Sequence, residues 1–208
     1  MPASPLSGRH AEAARNDEVI LAAARAVFVA DPGAPITAVA KRAGVGISAL
    51  YSRYGSKEEL LRTLCHEGLQ RFAGETEAAL ADDRDPWLVF ESYMRRLVAA
   101  DTSSLTLALA GSFTPTQEMT ALAERANQLS AELFARFATV LRPGVEVHDL
   151  SLVFELVAAV KLGDPVRNAE LRDRYLTAIL DGLKAENREP LPGPAPDWRE
   201  IYARWYAG

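Results

Sequence analysis

Between Pro32 and Lys57 the chain carries Lys41, Arg42, Arg53 and Lys57, and no Asp or Glu at all. Cations gathered in a stretch free of acid attract phosphates, because local charge at a docking face sets that attraction. Ser48, in the same stretch, can meet either donors or acceptors on base edges, and Ile47 offers apolar contact such as a thymine methyl would take. That is chemistry for reading a nucleic acid, not for making or breaking bonds. His10, His66 and His148 lack the spacing of any HExxH or CxxC metal site. His66 follows the lone Cys65, but adjacent helical residues point about 100° apart and do not easily share one ion. No G-x-S-x-G elbow, phosphate-cradling loop or dinucleotide fingerprint is present. The run Asp82-Asp83-Arg84-Asp85 reads as solvated turn. No enzyme, metal or cofactor is therefore expected.

These residues need short helices to present them. Thr37 to Ala43 has a helical pattern that Gly44 stops, and a second helix runs from about Ile47 to Tyr54, where Gly55 ends it. Ser56, with Glu59 three residues on, makes a capping box for a third. Two short helices around a tight, Gly-containing turn make a helix-turn-helix, whose second helix lies in the major groove of double-stranded DNA. On that helix Leu50 points inward, Ile47, Ser48, Tyr51 and Ser52 project toward the groove or its walls, and Arg53 lies near the edge. Thr37 and Lys57 sit at helix starts, where backbone N–H groups favour a phosphate.

Residues 15–62 resemble the TetR family of bacterial transcriptional regulators, whose signature here is roughly A-G-V-S-x-G-x-L-Y-x-x-F-x-S-K-E-x-L-L. Ala43, Gly44, Val45, Leu50, Tyr51, Ser56, Lys57, Glu58, Leu60 and Leu61 match it, and Tyr54 stands where an aromatic is usual. Gly46 replaces the usual serine, which removes a hydroxyl able to cap the helix or touch a phosphate; Ser48 replaces a glycine, and Ala49 a threonine or small polar residue. The resemblance implies phosphate contacts from Thr37, Tyr51, Tyr54 and Lys57, with Tyr54 equally able to be core, and places Gly46 and Ala49 on the DNA-facing stretch. It also implies a homodimer on a palindromic operator, paired through the last two long helices, and release of DNA by a small-molecule inducer.

Bulk properties agree with an all-α protein. The 208 residues are 49% hydrophobic and 25% charged, ordinary for a folded protein, with few strand-forming runs. No apolar run approaches the roughly 20 residues of a membrane span, nor does the start read as a secretion signal, so the cytoplasm is expected. Net charge is −5, but residues 1–60 hold seven Lys/Arg against six Asp/Glu and residues 61–208 hold sixteen against twenty-two. The acid lies in the body.

Three segments are expected: a helix-turn-helix domain over 13–60, a helical ligand-binding and dimerisation domain over 61–188, and a Pro-rich segment with a short C-terminal helix over 189–208. Residues 1–12 read as a frayed end, or as an arm toward a minor groove, before a helix from about Ala13 to Ala30. Ile20, Phe28, Ile36, Val39, Val45 and Leu50 form the expected core of the first domain. A helix from Ser56 enters the body without a flexible linker. Further helices are expected over about 86–100, from the Thr114–Gln117 capping box to Leu141, over 147–162 and over 168–185, with an apolar segment around 105–110. The 147–162 helix is apolar on several faces and so needs cover on several faces; charged replacements at Leu156 and Leu176 are expected to yield monomers. Trp87, Phe90, Met94 and Phe113, with Met119, Leu122, Phe134 and Phe137, are expected to line a ligand cavity, because aromatic- and Met-lined spaces between helices hold apolar molecules. The tail with Trp198, Ile201, Tyr202 and Trp205 is expected to dock on its own body. A helical dimer acting through protein contacts, or a constitutive DNA binder, is the alternative function.

Overall fold

A few residues start and stop most of the described helices. The computed structural model describes residues 5–100, 109, 112–186, 189–197, 199–201 and 203, with the backbone alone over 5–15. Eight helices and no strand occur there: α1 (Pro5–Ala30), α2 (Ile36–Ala43), α3 (Ile47–Tyr54), α4 (Lys57–Leu80), α5 (Pro86–Ala99), α6 (Gln117–Phe137), α7 (Val147–Ala158) and α8 (Pro165–Gly182). The fold is all-α. Residues 1–65 and 66–208 form two compact units, and α4 contributes to both. The apolar segment at 105–108, Trp198, Tyr202, Trp205 and the side chains of Arg9 and His10 lie outside the described residues.

In the first unit α1 starts at Pro5 rather than Ala13. Proline suits a first turn, and Ala11, Ala13 and Ala14 favour helix over a loose end. α2 packs on α1 and α3 on α2, over a core of Ile20, Phe28, Ile36, Val39 and Leu50. Val45 is only half-buried. Gly44 ends α2 at φ 70°, a left-handed conformation open to glycine, while the Val45 N–H donates back to the Ala40 carbonyl at 3.1 Å. Ser56 caps the next helix by accepting from the Glu59 N–H at 3.0 Å.

Lys57 does something the sequence did not announce. Its ammonium donates to the Ala34 carbonyl at 2.7 Å and to those of Pro32 and Gly33 at 3.4 Å each. It also stands 5.1 Å from the centre of the Phe28 ring. The group assigned to a phosphate by resemblance thus holds the loop between α1 and α2.

In the second unit, Val89, Phe90, Met94 and Leu97 of α5 meet Leu133 and Phe137 of α6, Val153 and Val157 of α7, and Leu176 and Leu180 of α8 in one core. Its buried hydroxyls are paired: Thr76 donates to the Phe72 carbonyl at 2.8 Å, so Tyr93 donates to Thr76 at 3.0 Å. Burial pushes the Tyr93 phenol up to about 12. The Arg136 guanidinium donates to the carbonyls of Ala79 and Leu80 at 3.1 and 3.2 Å and to that of Asp82, closing the end of α4.

Caps explain where the boundaries moved. Asp85 accepts from the Trp87 and Leu88 N–H groups, with Pro86 in the first turn as expected. α6 is capped by Thr116 rather than Thr114, since the Thr116 hydroxyl reaches the Met119 N–H at 3.2 Å. Glu146 and Asp149 form a reciprocal capping box for α7. Asp164 caps α8, which begins at Pro165, not 168. α6 stops at Phe137 instead of Leu141 because the chain there turns into a backbone bridge: the Arg142 N–H donates to the Leu183 carbonyl at 2.8 Å and the Ala185 N–H to that of Val140 at 3.0 Å. In the Pro-rich segment Leu191 packs against the core, and beyond it Asp197 and Glu200 cap each other's N–H groups at 2.8 Å.

Leu176 needs a correction. It is fully buried in its own chain, whereas Leu156 is 65% exposed; helical spacing puts Leu176 on the same stripe of α8 as Leu180, facing the core. A charge there would unfold the unit instead of splitting a dimer. Leu176→Ala is expected to cost about 2–5 kcal/mol by leaving a cavity, read as a lower midpoint in urea unfolding. Lys57→Ala should cost about 1.5–3 kcal/mol, the range for hydrogen bonds from a charged group, measured as a lower melting temperature without DNA; an unchanged melt would mean that the loop holds itself.

Candidate nucleic-acid interface

Register along α3 divides its side chains. Leu50 and Tyr54 fall four apart and are buried; Ser48, Ala49, Tyr51, Ser52 and Arg53 are exposed, and Ile47 is half-buried. Gly46, which begins the helix at φ −67° with no side-chain cap, is exposed too. At Gly46 an added Cβ would meet nothing within 4 Å, so the missing serine hydroxyl reflects no lack of room. Thr37, in the first turn of α2, is exposed, as are Lys41 and Arg42 in its last turn. The side chains of Lys41 and Arg42 meet no partner among the described residues, and are available to an anion.

The other two cations of the acid-free window are engaged. Lys57 holds the loop of residues 32–34, as above. Arg53 grips Asp17 of α1: its Nε donates to Oδ1 at 2.7 Å and its Nη2 to Oδ2. This pairing raises the Arg53 pKa. The Tyr54 phenol reaches the same carboxylate at 3.5 Å while its ring lies in the core, so Tyr54 belongs to the packing and its tip to Asp17. Asp17 was missed by sequence reasoning. It stands 36 residues from Arg53, and no spacing rule joins an acid in one helix to a base two helices later.

Of the eight residues expected around a ligand, the structure brings five together. Phe90, Met94 and Phe137 are almost fully buried in the core of the second unit, and Trp87 and Phe134 pack against it. Phe90 meets Trp87 and Phe137 with ring centres 5.4 and 5.2 Å apart. Phe113 and Met119 are buried outside that cluster, and Leu122 is half-buried. A cleft of about 420 Å³ lies elsewhere, between Leu152 of α7 and the tail residues Pro194, Ala195, Pro196, Glu200 and Ile201.

Cys65 is buried and its thiol is pushed up to about 12, which keeps it neutral and shut away from reagents. His66 instead faces Glu118, at 3.6 Å. Among the described residues no three His, Cys, Asp or Glu gather as a metal site, and no helix is long and apolar enough to cross a membrane.

Residues 20–64 match the family model of the bacterial regulatory proteins, tetR family. No curated protein matches the chain. Among solved structures, a TetR transcription regulatory protein from Mycobacterium vanbaalenii is 24% identical, over 84% of this chain and 98% of its own, with a TM-score of 0.53. A TetR transcriptional regulator from Streptomyces coelicolor is also 24% identical, over 80% and 97%, at 0.53. LfrR of Mycobacterium smegmatis, solved in complex with proflavine, is 20% identical over 86% and 99%, at 0.63. These likenesses give the fold along most of the chain. Over residues 20–64, the helix-turn-helix, the chain carries the domain of the bacterial regulatory proteins of the tetR family.

Proposed function

We propose that the chain is a cytoplasmic repressor that binds a palindromic operator as a homodimer and leaves it when a mostly apolar small molecule binds. The observation that carries the DNA part is the exposed row Ser48, Tyr51 and Ser52 of α3 beside the unpartnered Lys41 and Arg42. A helix of that kind reads bases while hydroxyls and cations of the neighbouring helix hold phosphates. Thr37 and Tyr51 take phosphate contacts in this reading, Gly46 and Ala49 let the backbone approach, and Lys57 acts through the loop it supports. Tyr54 contributes packing and its contact with Asp17 rather than a phosphate contact.

Homodimerisation is supported by apolar surface on α7 and the start of α8. Leu152 and Leu156 lie one turn apart, and Leu156, Leu162 and Val166 are 65%, 74% and 72% exposed. Contiguous patches of this sort mark association sites, and a two-fold contact buries one patch on both chains. Two recognition helices spaced by about 34 Å would then meet successive major grooves. The pair Leu156→Glu with Val166→Glu is expected to give a monomer by sedimentation at micromolar concentration, and to lose retention of DNA from the protein's own promoter region in a gel shift. A variant that stays dimeric would place the interface elsewhere.

The ligand part rests on the aromatic and Met side chains of α5 and α6. Phe90, Met94 and Phe137 are buried in one core, and a ligand among them would select whichever state offers it space. LfrR binds proflavine, so planar aromatic compounds are the first to try. Proflavine or related compounds should raise the melting temperature by a few degrees and release promoter DNA, and Phe90→Ala should change the response. If no compound in an apolar library moves either reading, the protein is a constitutive DNA binder.

A further inference from the structure

The Asp17–Arg53 pair carries an inference beyond DNA binding itself, although it rests on that reading. Arg53 ends the exposed face of α3, yet the forked edge of its guanidinium is spent on Asp17 through Nε and Nη2. A phosphate would use that same edge in the same two-bond geometry. Arg53 therefore cannot give both anions its fork. The side chain of Asp17 is 22% exposed and that of Arg53 59%, so the pair lies partly in water, where such contacts are exchanged easily. Asp17 is also held in place: the Tyr54 phenol reaches it from inside the core. Glu18, its exposed neighbour, has no such partner among the described residues.

We propose that Asp17 is a specificity-determining residue that withholds Arg53 from the DNA backbone unless the remainder of α3 fits the sequence beneath it. On arbitrary DNA, phosphate attraction is supplied by Lys41, Arg42 and helix ends, and Arg53 stays on the carboxylate. On a matching sequence, base contacts hold α3 deep enough in the groove for a phosphate to displace Asp17. Discrimination is a difference of affinities, and a residue that weakens the wrong complex raises it as surely as one that strengthens the right complex.

The test uses the full-length protein and two probes, a short duplex of random sequence and duplexes enriched by the wild-type protein from a random library, each titrated by fluorescence anisotropy over a range of salt. Asp17→Asn should bind the random duplex about threefold or more tightly at low salt and steepen its salt slope by about 0.9, the effect of one added phosphate contact. The enriched duplex should change less, so the ratio between the two falls. Glu18→Gln removes the same charge one residue away and should leave that ratio alone. Arg53→Gln should weaken the enriched duplex and spare the random one, and it should abolish the gain from Asp17→Asn when the two are combined. The Arg53→Gln comparison stands even if Asp17→Asn unfolds, as a circular dichroism melt would reveal. Equal shifts on both probes from Asp17→Asn and Glu18→Gln, or a loss of random-duplex affinity in Arg53→Gln, would overturn the role of Asp17 while leaving DNA binding intact. A wild-type protein that enriches no sequence would overturn the DNA reading, and this inference with it.

Discussion

A helix of two turns does not hold itself together in water, because isolated helices below roughly 12–15 residues are marginal. α3 has eight residues, and the first unit is built around keeping it in one place. Leu50 and Tyr54 anchor its inner face. Gly44 bends the chain sharply enough to bring α3 onto α2, and Gly55 closes the other end with its N–H on the Tyr51 carbonyl at 2.8 Å. Lys57, just beyond, steadies the loop from which α2 departs. The Arg53–Asp17 pair ties the last turn to α1. None of these contacts is large alone, yet all of them constrain the same short element, so its exposed side chains are presented on a defined scaffold.

This arrangement changes the meaning of the charge pattern. Four cations in an acid-free window suggest four phosphate anchors. Two of them are internal ties, which leaves Lys41 and Arg42 as the pair directed outward. The body stays acidic, with several of its arginines matched to carboxylates, as in Arg96 with Glu75 at 2.6 Å and Arg125 with Glu77 at 2.8 Å. Attraction to DNA is thereby modest and local, a condition under which shape and hydroxyl contacts can matter.

The first unit was readable because its signals are short-range: a glycine after a helical run, a capping serine, apolar residues at helical spacing. The core of the second unit followed from the same spacing. Distant pairings were not readable, which is why Asp17 and the true work of Lys57 escaped. Periodicity also shows that a face is apolar without showing what covers it. Leu156 and Leu176 look alike in sequence, yet one is exposed and the other lies at the centre of its own chain. Phe90, Met94 and Phe137, by contrast, could be foreseen as a cluster from their spacing alone. One helix start moved because a second capping residue stood nearby, Thr116 beside Thr114.

The small backbone bridge joining Leu141 to Lys184 has a topological consequence. It makes α7, α8 and the turn between them a lasso, drawn shut at its neck by the hydrogen bonds from Arg142 to Leu183 and from Ala185 to Val140. The entropy of closing that loop is spent once, at the neck, and grows only slowly with its length. The far end, residues 161–164, is exposed. A protease that cut there would break the covalent chain but not the ring of contacts, since the severed helices remain tied at the neck and packed on the common core.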